Sequence, residues 1–194
     1  VGDAWRIQIG LRWNNYRKVD CTILIAVDWA QSGKKQSNKT AIVVAALTID
    51  GLLLILDVYD GHLRYEENAP TLDKKCEEWQ PDDRWLIGQG ERDLIVASDD
   101  DMLSHSMMIE CRRQKNIPEI KRLGIKSKSK IVRAQAGIIR SQNRLFLMPH
   151  DNKKWYEATC DHLASFTGEE GAEDDIADCF GILGRLADEF SSGD

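Results

Sequence analysis

The chain has 194 residues, 42% hydrophobic and 30% charged, with a formal net charge of −6, which allows one sizeable globular domain around one core. Its longest apolar runs, around Ile23 to Val27 and Leu52 to Leu56, fall far short of the ~20 residues a membrane helix needs. The net charge conceals an asymmetry: residues 112 to 144 carry eleven Lys or Arg against the single acid Glu119, a local charge of +10 that leaves −16 on the rest. A basic stretch beside acidic clusters can hold a polyanion and divalent cations together, or it can simply be a solvated face.

Residues 1 to 19 mix Trp5, Arg12, Trp13 and Arg17 without a sustained period and are expected to be an incoming linker or docking arm ahead of a domain over 20–194. The β-branched, apolar run Cys21 to Asp28 and the run Thr40 to Thr48 predict two strands separated by the polar loop Gln31 to Lys39. Asp50-Gly51 is a two-residue hairpin signal, because both residues tolerate positive φ. Leu52 to Tyr59 then completes a three-stranded antiparallel meander.

A helix is predicted over Tyr65 to Trp79, ended before Pro81, followed by a short buried strand at Leu94 to Ala97. Met102 to Gln114 reads as helical, Ile117 to Ile125 as containing a strand, and Lys128 to Gln142 as a helix with Ile131, Ala134 and Ile138 on its apolar face. Leu145 to Met148 is a further short strand. Trp155 to Phe166 and Asp174 to Phe190 are two more helices, the last periodic through Ile176, Phe180, Leu183 and Leu186. No internal repeat or low-complexity tract occurs.

Cys21, Cys76, Cys111, Cys160 and Cys179 stand singly, with no C-x-x-C pair. An odd, scattered set argues against a disulfide framework and a zinc cluster and favours a reducing cytoplasm. No basic start precedes an apolar signal core, and Val1 in place of Met is expected of a chain whose beginning has been removed.

Three acidic features carry the chemistry. Asp28 ends the first apolar strand, where a carboxylate is costly unless paired or metal-bound, although strand-end Asp is also an ordinary turn residue. Asp99-Asp100-Asp101 follows the short strand at Leu94, and would equally serve as N-cap and first turn of the next helix. Asp174-Asp175-Ile176-Ala177-Asp178 opens the last helix, and the three-residue spacing puts Asp175 and Asp178 on one face. Hard divalent ions prefer carboxylate oxygens, and an ion pair ~3.5 to 4 Å apart suits phosphodiester cleavage. His62, His105, His150 and His162 lack metal spacing with one another, though His105 lies near the second acidic cluster. The six tryptophans are expected in the core or on a docking surface.

The segments LIAVDWAQSG and NKTAIVV, the Asp-Gly hairpin, LIVASDDD, SKSKIVRAQAG and EDDIADC, in this order over about Cys21 to Glu189, resemble the C-terminal nuclease domain of tailed-phage large terminase subunits. The resemblance implies an α/β, RNase H-like mixed sheet, a meander plus parallel strands, flanked by helices. It implies metal-dependent endonucleolytic cleavage of concatemeric double-stranded DNA during genome packaging, with Mg²⁺ or Mn²⁺, two ions, as cofactor. Carried over by residue, Asp28, one of Asp99 or Asp100, and Asp178 become catalytic metal ligands with Asp175 beside them. Lys126, Lys128, Lys130 and Arg133 become contacts to the DNA backbone, since spaced cations neutralise phosphates without reading bases.

The resemblance further implies an N-terminal ATPase domain in the same protein, a small terminase subunit and a portal protein as partners, and the host cytoplasm as the place of work. No G-x-x-x-x-G-K-[ST] phosphate loop occurs in the chain, so translocation is expected to reside elsewhere. The sequence departs from the family pattern at Asn38 and Lys39, where a second Asp is frequent, and at Asp99 to Met102, where a Gly-containing turn is usual. Cys179 stands in place of a common Ala. Two rivals stay open: another RNase H-like nuclease of resolvase or integrase type, and a non-catalytic DNA-binding or motor-docking module.

Overall fold

A computed structural model describes residues 4–9, 11–30, 39–80, 94–124, 129–148, 154–169 and 174–191. The strands are β1 (Ala4–Ile9), β2 (Arg12–Arg17), β3 (Thr22–Asp28), β4 (Thr40–Leu47), β5 (Leu53–Gly61), β6 (Leu94–Asp99), β7 (Lys121–Leu123) and β8 (Phe146–Leu147). The helices are α1 (Tyr65–Trp79), α2 (Met102–Cys111), α3 (Lys130–Gln142), α4 (Tyr156–Ser165) and α5 (Asp175–Ser191), with a 3-10 turn at Lys18–Asp20.

Strands β3 to β8 form one six-stranded sheet in the order β7-β6-β3-β4-β5-β8. The β3, β4 and β5 pairings are antiparallel, whereas β6 runs parallel to β3, β7 parallel to β6, and β8 parallel to β5. Antiparallel neighbours can be joined by a tight turn, but a parallel neighbour needs a crossover, and α2 supplies one between β6 and β7. The expected α/β, RNase H-like mixed sheet is the architecture found.

Helices cover both faces of the sheet, so β3 and β4 are buried nearly throughout. This is why they read as unbroken apolar runs rather than as alternating strands. One core joins Leu24, Ala26, Val43 and Ile55 to Phe180 and Leu183 of α5. The other joins Ile23, Ile25, Val27 and Val96 to Leu72 of α1 and Met107 of α2. α3 lies across α5. Glycines permit that close approach: a Cβ at Gly181 would stand 2.3 Å from the Arg133 carbonyl oxygen, and one at Gly137 would stand 2.8 Å from the Phe180 backbone.

Several local expectations change. Within residues 1 to 19, expected to be an incoming linker or docking arm without regular structure assigned, the described part forms the antiparallel β1–β2 hairpin, with Ile9 opposite Arg12, and Trp5, Ile7 and Tyr16 pack on the α1–α2 side of the sheet. The overlooked signal is Gly10-Leu11, a Gly-X pair of the kind that favours two-residue hairpin loops.

At the β4–β5 turn only Gly51 has positive φ, at 76°. Gly51 N–H donates to Thr48 O at 3.0 Å and Thr48 N–H to Leu52 O at 2.9 Å. This is a type I turn closed by a left-handed glycine, so Asp50 needs no positive φ. Ile131 on α3 is exposed rather than buried, because α3 meets α5 through Ala134 and Gly137 instead. All five cysteines are free, and among the described residues no helix is long and apolar enough to cross a membrane.

Candidate functional site

β3 and β6 lie side by side and parallel, with Val27 opposite Ser98, so their last residues, Asp28 and Asp99, sit together at the same end of the sheet. Side chains alternate across a strand. Leu24, Ala26 and Ala97 face α5, and continuing those parities by two residues places Asp28 and Asp99 on that face. Asp100 falls on the other side. It bonds His105 Nε2 of α2 at 2.9 Å and lies 3.4 Å from Arg122 Nη1. Asp101 accepts a 2.6 Å bond from Ser104 N–H and caps α2. The three consecutive aspartates therefore have three separate roles, and only Asp99 shares the α5 face with Asp28.

The third carboxylate comes from α5. Its first turn carries Asp175 and Asp178, where the helix dipole favours negative charge. Asp178 is 3% exposed, and its Oδ1 is buried without a hydrogen-bond partner. Cys179 sits against β3 and β4, its Sγ 3.7 Å from Ala26 O and 3.5 Å from Ala41 O. That contact seats the start of the helix on β3, which ends in this cluster, and on the beginning of β4 beside it. A residue away, the Thr40 hydroxyl accepts from Ala30 N–H at 3.1 Å and donates to Asn68 Oδ1 at 2.6 Å, pinning the chain just beyond Asp28 to α1.

Crowded, buried carboxylates resist ionisation. Burial raises the Asp28 pKa well above its usual value, and Asp178, Asp175 and Asp99 add to the rise. Burial pushes Asp178 up to about 7 against the attraction of Arg133, with Asp174 and Asp99 contributing. Asp99 is also raised by burial, although Arg185 and Arg133 pull it back. Asp100 moves the opposite way, lowered chiefly by its bond to His105. The electrostatic group is thus Asp28, Asp99, Asp175 and Asp178, with Asp174 at its rim.

Cations from α3 and α5 reach into this group. Arg133 Nη2 lies 2.6 Å from Asp178 Oδ2 and 3.2 Å from Asp174 Oδ2, and Lys130 Nζ lies 3.0 Å from Asp174. Arg185 pairs with Asp99 and donates from Nη1 to the Arg133 carbonyl at 3.1 Å. Burial opposes the charge on Arg133, but Asp178, Asp28, Asp174 and Asp99 together hold its pKa above the ordinary value.

Lys130 and Arg133, expected along a DNA path, are therefore engaged with the acids here. Lys126 and Lys128 lie outside the described residues. Elsewhere in the basic stretch Lys121 pairs with Glu189, Arg122 with Asp100 and Arg140 with Asp188. Much of its local +10 is thus met by acids distant in sequence.

The sequence places Asp174 in the third acidic feature without giving it a role of its own, and it gives none to Arg185. Arg185 had a weaker signal: it lies seven residues after Asp178, two turns along the same face, between the buried Leu183 and Leu186.

The donor set suits a hard divalent cation: carboxylate oxygens only, mutually repelling, with one buried oxygen lacking a partner. Among the described residues no three acidic, histidine or cysteine side chains stand as a ready-made cage. Asp178 and Asp99 are each paired with a guanidinium, Arg133 and Arg185.

No protein-family model and no curated protein matches the sequence. The fold, by contrast, is shared with solved structures. The human cytomegalovirus terminase nuclease domain matches with a TM-score of 0.60 at 10% identity, over 87% of this chain and 84% of that one. The same viral domain, soaked with Mn and bound to an inhibitor, matches with a TM-score of 0.51 at 10% identity, over 89% and 84%. The yeast mitochondrial Holliday junction resolvase Ydc2 matches with a TM-score of 0.46 at 11% identity, over 87% and 83%.

Proposed function

We propose that this chain is a divalent-metal-dependent DNA endonuclease, the nuclease part of a viral DNA-packaging terminase that cuts concatemeric double-stranded DNA. The observation that carries the reading is the convergence of Asp28, Asp99 and Asp178 from two adjacent strand ends and one helix start, with a buried Asp178 oxygen left unpartnered. Carboxylates gathered at such cost, in a fold shared with a viral terminase nuclease domain, are explained by metal binding better than by folding stability.

Asp28, Asp99 and Asp178 would hold Mg²⁺ or Mn²⁺, two ions together, with Asp175 beside them. Bound there, such ions supply an activated water and offset the charge that builds up in phosphodiester hydrolysis. The chain's own residues do the positioning. Asp28 and Asp99 are fixed by strands that cannot shift without breaking the central ladder, and Asp178 by the helix whose Cys179 abuts β3 and β4. Lys130 and Arg133 place positive charge on the same side of the sheet, where a DNA phosphate would come to rest, and Lys126 and Lys128 continue that charge in the sequence. None of these groups presents a motif for reading base edges, so sequence choice is assigned to partners: an ATPase domain, a small terminase subunit and a portal.

Plasmid digestion by the purified chain in Mg²⁺, Mn²⁺ or chelator tests the reading. Cleavage with either metal, its loss in chelator, and its loss beyond ~100-fold in Asp28→Asn are expected, comparable to removing a direct catalytic contact. Metal-independent cleavage, or near-native cleavage by Asp28→Asn, would refute it.

A further inference from the structure

We propose that Arg133 is a resident countercharge that occupies the acidic centre until a divalent ion displaces it, with Arg185 as the positioning residue that keeps it poised. The inference rests on the metal-nuclease reading above and adds what the centre does without metal.

Arg133 Nη2 bridges Asp178 at 2.6 Å and Asp174 at 3.2 Å. Its backbone is fixed from two sides: Arg185 donates to its carbonyl, and Gly181 lies so close that a Cβ there would stand 2.3 Å from that oxygen. Only the side chain is free to change, and an arginine side chain has several rotatable bonds. The pairing is also incomplete, since Asp178 Oδ1 and Arg133 Nε are both buried without partners. A fully satisfied ion pair would resist exchange, whereas this one leaves an acceptor and a donor unmet that a metal ion and solvent could satisfy. Arg133 is 31% exposed, so a route outward exists.

Arg185 holds Asp99 and the Arg133 backbone at once, linking a strand-end acid to the helix that carries the countercharge. An ion entering between Asp178 and Asp99 thus meets one guanidinium that can swing away and one that braces the frame. The released Arg133 then faces the side from which a phosphate approaches, so metal loading and readiness for DNA are coupled through one residue.

Mn²⁺ titration calorimetry on the chain without DNA tests this, at fixed pH and salt, with wild type, Arg133→Gln and Arg133→Lys. Arg133→Gln should bind Mn²⁺ on the order of tenfold more tightly, because the ion no longer has to displace a unit charge held within ~4 Å, an attraction that the burial of the guanidinium offsets in large part. Arg133→Lys keeps the charge but loses the planar fork that bridges two carboxylates, and should gain a few-fold. In chelator, Arg133→Gln should melt below wild type, and it should gain more from saturating Mn²⁺.

If wild type binds Mn²⁺ and Arg133→Gln binds it equally or more weakly, the countercharge proposal is overturned and the metal reading stands. If neither binds, both fall. Binding by Arg133→Gln alone supports the proposal. Should Arg133→Gln fail to fold by circular dichroism, Arg133→Lys decides: unchanged affinity overturns the proposal.

Discussion

Replacing Asp178 by Asn removes the charge from a carboxylate that is only 3% exposed while keeping nearly the same shape. Its pKa stands at about 7 against a usual 3.8, a rise of about 3 units that corresponds to about 4 kcal/mol at ~1.4 kcal/mol per unit. Asp28 and Asp99 titrate upward for the same reason and share the repulsion, so about 2 kcal/mol is the working expectation for one site. The sign follows from proton uptake: between pH 4 and 7 the folded chain holds a proton on Asp178 that the unfolded chain has lost. Stability of the metal-free protein therefore falls as pH rises through that window and is restored on acidification.

Urea unfolding in chelator from pH 5 to pH 8 measures this. Wild type should lose stability toward pH 8, whereas Asp178→Asn should show a flatter profile and exceed wild type at pH 8. Saturating Mn²⁺ should reverse the wild-type trend, since ligands must ionise to bind. An Asp178→Asn protein less stable than wild type at pH 8 would refute the reasoning, because the charge would then be a net stabiliser of the fold.

Asp99→Asn should cost more than ~100-fold in metal-dependent plasmid cleavage, while Asp100→Asn should stay within a few-fold, because Asp100 bonds His105 on the far side of β6; equal losses would remove the distinction. Gly181→Ala should destabilise by about 1 to 3 kcal/mol in chemical denaturation and displace Arg133, since the added methyl meets backbone rather than a flexible side chain. Thr40→Val should cost about 1 to 3 kcal/mol by leaving Ala30 N–H and Asn68 without their shared partner. Hydrogen exchange at Ala30 should report its faster opening.

The sequence alone determined much of the frame. Runs such as Ile23 to Val27 and Thr40 to Leu47 are apolar on both faces and lie in the sheet interior, and α1 occupies the predicted Tyr65–Trp79. Burial and helical periodicity leave local traces, so elements with many apolar residues are legible one segment at a time. The acidic clusters were visible for the related reason that a carboxylate beside an apolar run is conspicuous.

What the sequence left open were questions of side and of partner. Asp99 and Asp100 differ only in parity, and parity has meaning only once it is known which face of β6 meets α5. Arg133 pairs with Asp174 across 41 residues and Arg185 with Asp99 across 86, distances at which charge pattern carries no pairing information. The basic stretch read as a DNA contact or a solvated face because its neutralising acids, Asp174, Asp178, Asp188 and Glu189, come from α5 and the residue just before it, far along the chain. Tertiary packing decides this: α3 crosses α5 at glycines, and the close approach brings cation and carboxylate to the same point.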